Sequence, residues 1–422
     1  MTERLLQFIW QFQYFNANGL YTTTGEPVQV LYPGNFNTRQ GPDFLEARVR
    51  IGEILWVGSV EAHLLSSGWI KHRHQRDPHY NNVILHVVWT DDGRRPFCDI
   101  PALMLQDRTA KLLLYQYERW MNSRAVIPCA GYLKTVETIK WTAWKERLLV
   151  ERIQRKHELV CQYLRQNNFH WEETCWRMLA GSFGLSVNAE AFEEMARSIP
   201  FPLLARHKDR LCQLEALLLG QAGALKGYFS DEYPIMLQRE YRFLRRKYAL
   251  AGINTPLCFL RMRPMGFPTI RLAQLAMLIH RSAPFFARIK ESEGIGELRQ
   301  LFRVTAGDYW HCHYVMDKAS ACRPKNLGRQ MINNIILNTA APIVFAYGHL
   351  HREQAYMEKA IDWIWQAEAE KNAITRSFAV LGIQAHRAAD SQALIELKTR
   401  YCDQRKCLDC AVGHSILKRS RS

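Results

Sequence analysis

Apolar residues in 2–16 recur at helical spacing, with Leu5, Ile9 and Phe12 on one face and Thr2 placed to cap it. Residues 28–32 form a short β-like run, and the loop PGNFNTRQGP follows. The pattern then turns to alternation. In residues 44–51 (FLEARVRI), Phe44, Ala47, Val49 and Ile51 fall mostly on the apolar side. Gly52-Glu53 predicts a tight turn, and residues 54–64 (ILWVGSVEAHL) predict the returning strand of a β-hairpin. Residues 66–80 predict a short helix broken near Pro78, and residues 82–90 (NVILHVVWT) a buried central strand. Asp91-Asp92-Gly93 is a turn, and a last strand or two is expected over residues 97–105. Beyond residue 106 the strand signals fade, and Ile127-Pro128-Cys129-Ala130-Gly131 reads as a linker. From about residue 135 nearly every segment has helical periodicity. The expected layout is an α/β domain over residues 1–125 and an all-α domain over residues 135–422.

Charge adds a class of partner to this layout. Lys and Arg number 56 against 40 Asp and Glu, a net charge of +16. That balance is compatible with plain solubility, and also with an anionic partner such as nucleic acid. The first ten residues lack a long apolar core, and no run of 18 apolar residues exists, so neither an export signal nor a membrane span is expected. A cytoplasmic location follows as an expectation, with the eleven cysteines reduced.

Candidate chemistry concentrates on the predicted hairpin. Asp43 stands at the mouth of its first strand. Glu61 and His63 lie two apart on the second, and therefore on one face. A turn at 52–53 brings Asp43 opposite the region of Glu61 to His63. Two carboxylates on one patch suit a hard divalent cation, Mg²⁺ or Mn²⁺, with Asp43 and Glu61 as ligands. Such a site can support metal-assisted phosphodiester hydrolysis. Taken singly, each residue is also explained as a turn aspartate or a solvated strand residue.

The order of these elements resembles the nuclease core of the PD-(D/E)XK superfamily: an opening helix, Pro42-Asp43 at a strand start, a hairpin, then Glu61-Ala62-His63, a helix and a strand. The resemblance covers about residues 1–110. It implies a restriction-endonuclease-like mixed sheet flanked by helices, with Asp43, Glu61 and His63 catalytic and His63 standing where the superfamily usually has lysine. In the opening helix Glu3 is the one acid available. Over nearly its whole length the chain also resembles a bacterial family known as domain of unknown function 2851. The stretches GPDFLEARVRIG, GSVEAHLLSSGWIKHRHQRDPHYNNVILHVVW, RMRPMGFPTIRLAQLA and KCLDCAVG carry that likeness.

Two further clusters bear on partners and cofactors. Lys71, His72, Arg73, His74 and Arg76 follow the Glu61 strand and are placed to grip a phosphate backbone, with Trp69 or Tyr80 available to stack on a base. The His72-x-His74 spacing does not put both imidazoles on one helix face, which argues against zinc there. At the end of the chain Cys402, Cys407, Cys410 and His414 form a tentative second metal site. It could take zinc, or an iron–sulfur cluster with a distant fourth ligand such as Cys312 or Cys322. The leading functional expectation is a metal-dependent nuclease. The alternatives are a non-catalytic nucleic-acid-binding or scaffold protein of the same fold, and a hydrolase of a small phosphorylated substrate.

Overall fold

The computed structural model describes residues 1–94, 100–260 and 262–419. The start of the last expected strand, Arg261 and the three final residues lie outside the described residues. The chain forms two compact units. One comprises residues 1–144, 380–383 and 397–422, and the other residues 145–379 and 384–396. The cysteine-bearing tail thus packs with the α/β unit, although chain order alone had grouped it with the helices.

The first unit opens with α1 (Glu3–Gln11). The Thr2 side chain accepts from the Leu5 N–H at its start, Glu3 sits in the positive first turn, and Leu5, Leu6, Phe8, Ile9 and Trp10 are buried. The helix is shorter than its apolar pattern predicts, ending before Gln13, which takes a left-handed φ of 51°. A seven-stranded mixed sheet follows: β1 (Leu20–Tyr21), β2 (Pro27–Tyr32), β3 (Asn35–Phe36), β4 (Phe44–Ile51), β5 (Ile54–Leu65), β6 (Val83–Thr90) and β7 (Ala102–Met104). Its main order is β1-β2-β4-β5-β6-β7, with β3 paired to β4. The β4–β5 hairpin turns at Gly52-Glu53 as expected, with Ile51 facing Ile54, and Gly52 takes the positive φ that the turn demands. β5, β6 and β7 run parallel, and every residue from Ser59 to His63 and from Val83 to Val88 is buried. α1 packs on β5 and β6.

Between β5 and β6 the expected helix is reduced to one turn, α2 (Gly68–Lys71), and two 3₁₀ turns, His74–Arg76 and Pro78–Tyr80. After β7 comes α3 (Lys111–Met121).

The second unit is helical, and its long helices Trp171–Ser198, Leu211–Gln221 and Pro268–Ser282 contribute to one large apolar core. The helical stretch Arg329–His351 is long and apolar enough to cross a membrane, but its most apolar window is 78% buried within the protein, as in a core helix. One pair of cysteines departs from expectation: Cys312 and Cys322 are joined in a disulfide within this unit. They are bonded to each other, so neither is the distant metal ligand considered above.

Candidate metal centre

Register decides the geometry of the site. In an unbroken hairpin turning at 52–53, Asp43 would face Ala62 and point away from Glu61. Instead β4 carries one extra residue: Ala47 still pairs with Gly58, but Phe44 pairs with Val60. The irregularity centres on Glu46, whose φ is 61°. That shift of one residue turns the Asp43 side chain onto the Glu61 face. The apolar step from Phe44 to Ala47, three residues where alternation demands two, was its mark in the sequence.

Asp43 and Glu61 then lock together through the backbone. The Asp43 N–H donates to Glu61 Oε2 at 3.0 Å, and the Ala62 N–H donates to Asp43 Oδ2 at 3.1 Å. Gln7 Nε2, reaching down from α1, donates to Asp43 Oδ1 at 2.8 Å. Gln7 was not among the expected site residues, whereas Glu3 acts on both carboxylates electrostatically. Burial pushes Asp43 above the usual carboxylate range. Burial, and then the negative charge of Asp43, raises Glu61 to about 8, so near neutral pH Glu61 keeps its proton when no cation is near.

The other half of the site is imidazole. His63 lies two residues beyond Glu61 on β5 with Nε2 3.6 Å from Glu61 Oε1. Its Nδ1 meets His86 Nε2 on β6 at 2.9 Å, and its Nε2 meets His72 Nδ1 at 3.1 Å. His74 Nε2 lies 3.4 Å from Glu61 Oε1 and, among the described residues, is buried without a hydrogen-bond partner. The ligand atoms of His63, His72 and His74 all fall within 4.8 Å of one another. Burial, followed by the influence of neighbouring imidazoles, lowers His63 to about 2, His74 to about 4 and His86 to about 4. These three rings are therefore neutral near pH 7, the state in which imidazole binds metal.

The convergence of His72 and His74 corrects the argument from helical spacing. Between them Arg73 takes a left-handed conformation, φ 62° and ψ 30°, which ends α2 and swings His74 back towards His63. The ring of Tyr80 stacks on His74 at 3.8 Å, and Trp69 lies beneath, edge-on to His74. Both aromatic residues expected to stack on a base are thus engaged with the histidines. Gly68 permits the close fit of α2, because a Cβ there would lie 2.8–2.9 Å from His63 ring atoms. Lys71, Arg73 and Arg76 remain exposed beside the cluster, while His74 turns inward.

The residues suit a bound divalent ion. Three imidazole nitrogens converge with the carboxylate of Glu61 beside them, and the His74 nitrogen has no hydrogen-bond partner among the described residues. The donor set is richer in nitrogen than Asp43 and Glu61 alone, and so tilts from Mg²⁺ towards Mn²⁺ or another transition ion. At the tail, Cys402, Cys407 and Cys410 are all buried and free. His414 sits among the rings of Phe8, Phe12 and Tyr14, with centroids at 5.4, 4.0 and 5.6 Å.

Neither a curated protein nor a solved structure matches the chain. A family model described as a protein of unknown function, DUF2851, matches residues 3–373, and the chain belongs to that family.

Proposed function

We propose that the first unit is a metal-dependent nuclease of the PD-(D/E)XK type, cleaving phosphodiester bonds of DNA or RNA. The observation that carries this reading is the meeting of Asp43, Glu61 and His63 with His72 and His74 at the open end of the hairpin, where the start of β4 lies beside the end of β5. Sheet topology supports it: an antiparallel pair carries the carboxylates, and the strand after the Glu61 strand runs parallel to it. Glu61, His63, His72 and His74 would hold the ion. When bound, it polarises a phosphoryl oxygen and lowers the pKa of a water ligand. Asp43 fixes Glu61 through its backbone N–H and is itself held by Gln7. In the tautomer that donates Nδ1–H to His86, His63 keeps its Nε2 lone pair for ligation. A neutral His63 replaces the expected lysine as a ligand, not as a fixed positive charge. That positive charge is supplied at the rim, where Lys71, Arg73 and Arg76 are free to meet phosphates.

The test is cleavage of labelled single- and double-stranded DNA and RNA with Mn²⁺, Mg²⁺ or chelator, wild type beside Asp43→Asn and Glu61→Ala. Metal-dependent cutting lost in both variants is the expected result. The second reading, a non-catalytic nucleic-acid-binding protein, draws on the fact that both Asp43 oxygens already accept N–H donors. Tight binding of nucleic acid without metal, unchanged in Glu61→Ala and with no cutting of any substrate, would replace the nuclease with that binder.

A further inference from the structure

Eight free cysteines lie among the described residues, and four of them belong to one place. Cys402 closes the turn Leu397–Cys402, Cys407 and Cys410 follow in the loop, and the tail helix Ala411–Arg419 starts directly after Cys410. That helix packs on the 3₁₀ segment Ala130–Thr135, whose preceding residue is Cys129. Arg405 ties the loop to the stretch of chain that precedes Cys129 by donating to the Ser123 carbonyl. Cys129, Cys402, Cys407 and Cys410 are all buried, and the Cys129 thiol lies near enough to the other three to feel each of them.

From these positions we infer that Cys129, Cys402, Cys407 and Cys410 form a tetracysteine site for a thiophilic metal, either a zinc ion or an iron–sulfur cluster. Cys129, far away in the sequence, is the fourth ligand. Neither His414 nor the disulfide-bonded Cys312 and Cys322 fills that role. The inference is independent of the nuclease reading.

The surroundings are those of a thiolate. The Cys410 sulfur lies beside the backbone N–H groups of Val412 and Gly413 and the Trp144 indole, all of which favour its thiolate. Such N–H···S donors stabilise a sulfur that carries negative charge and tune a metal bound to it. Gly413 is a close-approach residue, since a Cβ there would lie 2.2 Å from the Cys407 carbonyl oxygen. Any other residue would force Cys407 away from Cys410. Four buried sulfurs brought together in this way can give up their protons to a metal, which supplies the positive charge that buried thiolates need.

The experiment is elemental analysis and X-ray absorption on the full chain, purified without oxygen from zinc- or iron-supplemented cultures. One culture should yield either about one zinc per chain with sulfur neighbours at about 2.3 Å, or about four irons with the brown colour of a cluster. Cys129→Ser should lose the metal as completely as Cys407→Ser, while His414→Phe and the exposed-cysteine variant Cys212→Ser keep it. Wild-type protein that carries no sulfur-ligated metal from either culture overturns the inference, whether or not the serine variants fold. So does a Cys129→Ser protein with its full complement. A metal ligated by nitrogen and oxygen alone would belong to the histidine site and would also overturn it.

Discussion

The most quantitative prediction concerns Glu215 in the helical unit, which is fully buried. Its Oε2 accepts from Trp310 Nε1 at 2.9 Å and from the Tyr233 hydroxyl at 2.7 Å, while Oε1 has no hydrogen-bond partner among the described residues. Burial raises this carboxyl from 4.5 to about 7. The fold therefore holds the proton up to about pH 7, whereas the unfolded chain gives it up near 4.5. Between those values the unfolded state gains by ionising and the folded state does not, so stability is lost as pH rises through the window. The gap corresponds to about 3 kcal/mol, most of it appearing between pH 5 and 8. Glu215→Gln keeps an acceptor for Trp310 and Tyr233 and cannot ionise. Urea unfolding of the full chain, followed by tryptophan fluorescence, should place the variant near wild type at pH 5. By pH 8 it should have gained about 2–3 kcal/mol relative to wild type. A stability difference that stays flat across this range would refute the assigned protonation of Glu215 in the fold.

Three substitutions test the histidine site. Gly68→Ala brings a methyl within 2.9 Å of the His63 ring, and should weaken metal binding by at least about tenfold while the far-ultraviolet circular dichroism is kept; unchanged affinity by calorimetry would mean that α2 does not position His63. Arg73→Gly relieves a left-handed residue, and should stabilise the first unit by up to about 1 kcal/mol in thermal melts while preserving the His72–His74 convergence. The same change removes a rim cation, so the salt slope of polynucleotide binding should fall by about 1; an unchanged slope takes Arg73 out of the phosphate contact. Gln7→Leu removes the donor to Asp43 Oδ1, and should lower cleavage without removing the bound metal; full activity would make Gln7 a packing residue only.

The parts of the fold legible in the sequence are those dictated by neighbours along the chain. The Gly52-Glu53 turn, the largely apolar β6 and the helical periodicity beyond residue 135 each encode their element locally, and each element is where its pattern puts it. The turn likewise brings Asp43 opposite the region of Glu61 to His63, because a hairpin couples positions through its turn, but it does not fix which face Asp43 takes.

What escaped depends on backbone choices that residue type does not announce. Glu46 and Arg73 both sit at positive φ, a conformation sparse for such residues; the three-residue apolar step from Phe44 to Ala47 marks the first, and nothing in the sequence marks the second. Yet one sets the register that turns Asp43 inward, and the other folds two histidines onto a third. A spacing rule for metal ligands assumes regular helix between them, and it fails where a single left-handed residue reverses the chain. The cysteines make the same point at longer range. Cys402, Cys407 and Cys410 are visible as a local motif, but Cys129 joins them because the tail helix returns to pack on the segment that follows it. A motif search bounded by sequence distance assigns the fourth position to His414, the nearest candidate, whereas the packing hands that ring to Phe8, Phe12 and Tyr14. In both clusters the ligand types were present in the sequence, and the backbone decides which of them meet.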